Sequence, residues 1–204
     1  DDGAFGCARA DPDKVDRPSV SSLSTPAEIT AVGGTTLLGD PAGNLREVAW
    51  AGPIERTGSG GGLSTVFARP AWQRGPGVDR GANGSRQVPD VAALGDPLTG
   101  WQIIQGGNVI RAGGTSAAAP LWAGLVALID QDLHRHNKPP VGFMNPALYA
   151  FGAATPPPYH DVVAGTNLLY TSGSGWDFAT GWGSPDAAAL LAAFEARAAA
   201  GSTP

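Results

Sequence analysis

Cysteine is nearly absent from this sequence. Cys7 is the single one in 204 residues, so no internal disulfide is available and the fold must rest on its core. A catalytic thiol would need an activating neighbour, and no histidine lies near Cys7 in sequence. A buried structural cysteine is the expectation. Lysine is confined to Lys14 and Lys138, and 13 Lys plus Arg stand against 18 Asp plus Glu, for a net charge of −5. With no basic run, nucleic-acid binding is not expected. No apolar run reaches the length of a membrane span, so no membrane association is expected. No signal-peptide pattern opens the sequence, and Asp1-Asp2-Gly3 reads as interior sequence. Histidine is scarce as well. His134, His136 and His160 are the three, and none belongs to a pattern such as H-E-x-x-H.

What is present is a globular composition. Hydrophobic residues make up 42% and charged residues 15%, which suits one well-buried domain. The 30 glycines and 18 prolines imply many turns. Residues 28–37 read as a strand interrupted by Gly33-Gly34, and 45–50 as a second strand. The glycine run 58–62 lacks the Lys-Ser/Thr ending of a phosphate loop and reads as structural. Residues 74–87, with Arg74, Arg80 and Arg86 among glycines, read as a solvated loop. In Val88-Pro89-Asp90-Val91, Asp90 is expected to anchor a turn before a short buried strand. Asp96 to Gly100 is a turn, and Trp101 to Arg111 a hairpin around Gly106-Gly107. Asn145 is expected to cap a helix with Pro146 at its first position, and Pro185 to open an alanine-rich final helix.

The most informative stretch is Gly113-Gly114-Thr115-Ser116-Ala117-Ala118-Ala119-Pro120, followed by LWAGLVALIDQDL. Two glycines allow a sharp turn, and a hydroxyl then stands at the mouth of a long helix. Pro120 is expected in the first turn, where its missing N–H costs nothing. From Ala117 to Leu133 the apolar residues cover almost every face, which predicts burial on most sides. Free N–H groups and the helix dipole beside Ser116 suit an oxyanion. The plainer alternative makes Ser116 an N-cap.

Further on, Asp161 and Asp177 flank a loop whose glycines leave carbonyl oxygens accessible. Such hard oxygen donors suit calcium. The alternative is a metal-free loop pinned by Asx turns.

The octet resembles the active-serine motif of the sedolisins, the serine-carboxyl peptidases, whose pattern is Gly-Thr-Ser-Ala-x-x-Pro. Thr30 to Leu37, Gly60 to Ser64, Pro70-Ala71-Trp72-Gln73, Val88 to Ala92 and Gly173 to Asp177 are similar to further segments of that family. The resemblance implies Ser116 as nucleophile. It also implies Asp1 as the acid that points into the oxyanion hole, with a one-residue ambiguity against Asp2. A calcium ion is implied at the carboxylates of Asp161 and Asp177 and the carbonyls of Val162, Gly173 and Gly175.

The family's base is a glutamate oriented by an aspartate four residues later. Here the residues four after Glu28, Glu47, Glu55 and Glu195 are Val32, Ala51, Ser59 and Ala199. The resemblance therefore implies that residues 1–204 are the C-terminal part of a single catalytic domain whose base lies upstream. The expected fold is α/β and subtilisin-like, a mostly parallel sheet with helices on both faces. The expected activity is a secreted, extracellular, acid-active endopeptidase cutting polypeptide substrates with its N-terminal portion as partner. The alternative is a catalytically incomplete, calcium-stabilised scaffold or interaction module.

Overall fold

The computed structural model of the chain describes residues 1–6, 17–52, 57–78 and 84–201. Cys7 lies outside them. In chain order, a 3₁₀ turn at Ser22–Ser24 leads to β1 (Val32–Gly39), β2 (Leu45–Ala49), β3 (Gly62–Ala68), β4 (Ser85–Val88), β5 (Val91–Leu94), β6 (Trp101–Gln105) and β7 (Asn108–Ala112). Then come α1 (Thr115–Arg135), α2 (Asn145–Gly152), β8 (Tyr159–His160), β9 (Ser184–Pro185) and α3 (Ala187–Gly201).

The main sheet has the order β2-β1-β5. β1 and β2 form an antiparallel hairpin in register from Thr35↔Ala49 to Gly39↔Leu45. Its connection is tied by Asp40, whose carboxylate accepts the Asn44 N–H at 2.8 Å. β1 and β5 run parallel, from Val32↔Val91 to Thr35↔Leu94. The other described pairs, β3–β4, β6–β7 and β8–β9, are antiparallel. The sheets are therefore small and mixed, where a mostly parallel sheet was expected. Hairpins need only a few connecting residues, whereas each parallel pair demands a long crossover, and among the described residues only β1 to β5 makes one.

Glycine chemistry sets the β6–β7 turn. Gly106 and Gly107 have φ of 57° and 80°, the left-handed pair that a two-residue hairpin requires. α1 packs on β1 and β5, and α3 packs on α1. The core gathers Val91, Trp122, Leu133, Leu148, Trp176 and Phe194. Among the described residues, no helix is long and apolar enough to cross a membrane.

Several local expectations change. Pro120 lies inside α1, past the first turn, because the helix begins at Thr115; the Ser116 carbonyl therefore loses its normal i+4 donor. α1 is also not buried all round. Ala119, Pro120, Ala123, Gly124, Ala127 and Leu128 are exposed, an apolar stripe at helical spacing. Met144 rather than Asn145 caps α2. Asn145 is buried, with its amide donating to the Ile29 carbonyl at 3.0 Å. Pro185 belongs to β9 opposite Tyr159, and Asp186 caps α3 by accepting the Ala189 N–H at 3.0 Å.

Arg86 was expected in a solvated loop. It sits instead on β4, fully buried, bonded to Asp90 at 2.6 Å. Its guanidinium lies over Trp72, 5.2 Å from the ring centroid. Asp90 also accepts from the Ala31 N–H at 2.7 Å and the Tyr149 hydroxyl at 2.8 Å. Burial acts to lower the guanidinium pKa, but the charge and hydrogen bond of Asp90 together with those of Tyr149 outweigh it, so the net shift is upward. Asp90 thus anchors its turn, as expected, and does so through a buried ion pair that joins β4, α2 and the segment entering β1.

Candidate active site

Ser116 occupies the second position of α1. The N-cap is Gly114, so the serine is not the cap. Gly114 has φ +94°, and a Cβ there would stand 3.1 Å from each carboxyl oxygen of Asp1. A side chain at this position would be strained by the backbone conformation and would crowd the carboxyl it meets. The turn is fastened by the Gly114 N–H donating to the Gly95 carbonyl at 2.5 Å.

Asp1 arrives from the far end of the sequence. Its carbonyl accepts the Gly58 N–H at 2.8 Å, and the Gly3 N–H donates to Gly58 at 3.2 Å, so the opening residues run beside Gly58. The Asp1 carboxyl then meets the start of α1. Thr115 donates to Asp1 Oδ1 from its backbone N–H at 2.5 Å and from its hydroxyl at 2.8 Å. The Ser116 hydroxyl donates to Asp1 Oδ2 at 3.4 Å. A carboxyl group, a serine hydroxyl and the positive end of a helix dipole thus meet at one point. Asp2, the other sequence candidate, pairs through its backbone with Gly58.

Both aspartates and Ser116 border one cleft of about 470 Å³, whose walls include Ile29, Gly60, Gly61, Val88 and Pro89. A second, apolar hollow of about 540 Å³ reaches Ser116 from the other side, between Trp101, Ile103, Ala117, Pro120 and Leu121. Ser116 is the residue common to both. Sequence reasoning missed Thr115, and it treated Gly60 and Gly61 as purely structural. The glycine run was a usable signal for close approach of backbone to a ligand. The Thr115 hydroxyl had none, because its partner is 114 positions away.

Asp161 and Asp177 converge on the loop between them. Asp161 Oδ2 accepts the Gly175 N–H and Asp177 Oδ2 the Gly173 N–H, each at 2.9 Å. Asp177 Oδ1 accepts the N–H groups of Ala179 and Thr180 at 2.8 Å, an Asx turn. Burial pushes the Asp177 carboxyl up to about 6, against the opposing pull of those hydrogen bonds. Among the described residues, no backbone N–H donates to the carbonyls of Val162, Gly173 or Gly175. The carboxylates of Asp161 and Asp177 and the carbonyls of Val162, Gly173 and Gly175 are all oxygen donors, the ligand type that a hard cation takes.

At the far end of α1, Asp132, His136 and Glu195 of α3 bring their ligand atoms within 4.8 Å of one another. His136 Nδ1 lies 3.0 Å from the Asp132 carbonyl oxygen and 3.1 Å from its carboxylate. The imidazole nitrogen is thereby engaged with the helix end, where positive charge is favourable.

No protein-family model matches the chain. It is 39% identical over 189 residues to kumamolisin of Bacillus sp. (strain MN-32), covering 88% of this chain and 32% of that protein. It is 37% identical over 205 residues to sedolisin of Pseudomonas sp. (strain 101), covering 94% of this chain and 33% of that protein. Tripeptidyl-peptidase 1 of Homo sapiens is 35% identical over 156 residues, covering 65% of this chain and 27% of that protein. The chain thus spans about a third of the length of these relatives. The solved structure of Pseudomonas sedolisin, a serine-carboxyl proteinase complexed with two molecules of pseudo-iodotyrostatin, superposes with a TM-score of 0.79 at 30% identity. That match covers 97% of this chain and 54% of the other. With an α/β architecture that follows sedolisin and sequence identity along most of its length to two bacterial relatives, the chain belongs to the sedolisin family, as a kumamolisin-like C-terminal region.

Proposed function

We propose that this chain supplies the nucleophile and the oxyanion acid of a secreted serine-carboxyl endopeptidase, and that residues 1–204 form the C-terminal part of its catalytic domain. The observation that carries the reading is the approach of the Ser116 hydroxyl to the Asp1 carboxyl, 3.4 Å apart at the start of α1. Ser116 Oγ attacks the carbonyl carbon of a polypeptide substrate and loses its proton to a glutamate base in the N-terminal portion. The carbonyl oxygen, now an oxyanion, takes a hydrogen bond from protonated Asp1 and from first-turn N–H groups of α1. Collapse of the tetrahedral intermediate breaks the C–N bond, and the base returns its proton to the leaving amine. The base works only while ionised and Asp1 donates only while protonated, so activity belongs to acid solution, near carboxyl reference values of about 4. The exposed stripe on α1 supports the same reading, since a helix that is apolar on its outer face packs against a further element. The mostly parallel sheet belongs to that complete domain.

The scaffold reading has one observation in its favour. Glu47, on the edge strand β2, accepts hydroxyl bonds from Thr35 at 2.5 Å and Ser184 at 2.6 Å, and so is committed to structure. The deciding experiment compares the chain alone with the chain joined to its N-terminal portion on a mixed peptide library at acid pH. Cleavage by the joined form only is expected. Ser116-dependent cleavage by the chain alone overturns the claim of an upstream base, and no cleavage by either form selects the scaffold.

Calcium is the cofactor we propose for the Asp161–Asp177 loop, held by both carboxylates and the carbonyls of Val162, Gly173 and Gly175. A bound cation supplies charge neutralisation and stiffens the loop. Zinc suits the set less well, because among the described residues no histidine is placed to join the two acids. Calcium at about 100 times its Kd should stabilise the native state by about 2.7 kcal/mol, a rise in Tm of roughly 5–10 °C for a chain of this size. Calorimetry of metal-stripped protein, titrated with calcium and then chelator, measures it. Asp177→Ala should remove the shift, and an unchanged Tm in the wild-type protein counts against the ion.

A further inference from the structure

We propose that Thr115 decides which oxygen of the Asp1 carboxyl carries the proton, and so is a positioning residue for the oxyanion acid. The inference rests on the peptidase reading above. Its geometric basis is the unequal treatment of the two carboxyl oxygens. Oδ1 receives two donors from one residue, the Thr115 N–H at 2.5 Å and the Thr115 hydroxyl at 2.8 Å. Oδ2 faces the Ser116 hydroxyl at 3.4 Å.

A protonated carboxyl has one carbonyl-like oxygen, which accepts, and one hydroxyl oxygen, which donates. Two donors aimed at Oδ1 make that oxygen the acceptor. A proton on Oδ1 would make that oxygen a poorer acceptor for the Thr115 N–H, which cannot rotate, and would force the Thr115 hydroxyl to turn from donor to acceptor. The proton is therefore driven to Oδ2, the oxygen that borders the nucleophile and the incoming oxyanion. Donor identity matters here because the backbone N–H points along the helix axis and cannot turn away. The threonine hydroxyl adds a second, side-chain donor that a valine of the same shape lacks. Gly114 completes the cradle, since a Cβ there would crowd both carboxyl oxygens at 3.1 Å and its φ of +94° suits glycine. The three residues Gly114-Thr115-Ser116 then divide the work: the first admits the acid, the second orients its proton, and the third attacks.

The plain alternative is that Asp1 and Thr115 merely cap α1, because the N–H of Thr115 is one of the orphan donors of a helix start. Kinetics on the complete peptidase separate the two. Thr115→Val should lower kcat about 10- to 100-fold, somewhat less than loss of an oxyanion donor itself, while KM stays within about twofold and the affinity for a peptide aldehyde falls in parallel with kcat/KM. Thr115→Ser, which restores the hydroxyl, should recover kcat to within about threefold. An unaltered kcat in Thr115→Val, or a Thr115→Ser variant as poor as Thr115→Val, overturns the proposal. So does a loss that appears in Tm and KM rather than kcat, which marks a cap. A readout independent of cleavage is the neutron structure of the protein in acid solution. It should place the Asp1 deuteron on Oδ2 and the Thr115 deuteron on the line to Oδ1; a deuteron on Oδ1 overturns the proposal even if Ser116-dependent cleavage is intact. Failure of the peptidase reading looks different: Ser116→Ala then leaves cleavage as it was, while the neutron result stands.

Discussion

Ser116→Ala in the complete peptidase is expected to lower kcat by about 10⁴- to 10⁶-fold, the scale on which removal of a covalent nucleophile acts. The residue is exposed at the start of α1, so the substitution creates no cavity and removes no packing. Its one described side-chain bond is the donor contact to Asp1 at 3.4 Å, too long to carry much stability. Folding should therefore be unaltered, with Tm within about 2 °C, roughly the effect of half a kcal/mol in a chain of this length. That combination, chemistry lost and stability kept, distinguishes a nucleophile from a structural hydroxyl. Measurement of kcat, KM and Tm on one preparation decides it. A variant that retains a tenth of the wild-type rate removes Ser116 from the chemistry and returns it to a role in shaping the helix start.

The largest stability effect is expected at Asp90. Asp90→Ala leaves the Arg86 guanidinium buried with its partner gone, together with the Tyr149 hydroxyl and the Ala31 N–H that the same carboxylate accepts. Breaking a buried pair by removing one member typically costs about 3–5 kcal/mol, far more than the pair contributes when both are replaced. For a chain of this size that is a fall in Tm of roughly 6–20 °C. The companion variant Arg86→Met/Asp90→Ala removes both charges and should lose less than Asp90→Ala alone, because no unpaired charge stays behind. Urea unfolding of the two variants measures the difference. A cost below about 1 kcal/mol for Asp90→Ala would mean that water reaches Arg86, and the network would then not be a folding determinant.

Neither effect can be read from local sequence with equal ease. Ser116 was legible, because two glycines, a hydroxyl and an apolar helix form one contiguous pattern whose physics is local. The β6–β7 hairpin was legible for the same reason: Gly106 and Gly107 tolerate the positive φ that the turn demands. Asp90 was read correctly as a turn anchor, yet its partner Arg86 was placed in solvent. An arginine among glycines is normally solvated, and only the meeting of β4 with Trp72 and Tyr149 makes it internal.

Residue type and short spacing were enough to establish the helix, the hairpin, the glycine turn before Ser116 and the absence of a glutamate with an aspartate four residues on. Periodicity and backbone preference carry each of these in full. Three-dimensional packing was needed to bring Asp1 against Ser116 across 115 positions, to aim both Thr115 donors at its carboxyl, and to bury Arg86. It also left one face of α1 exposed. Apolar spacing records that a face seeks a partner and is silent on whether these residues supply it. Contacts between distant segments depend on how β1, β5 and α1 stack, and no local propensity encodes that arrangement.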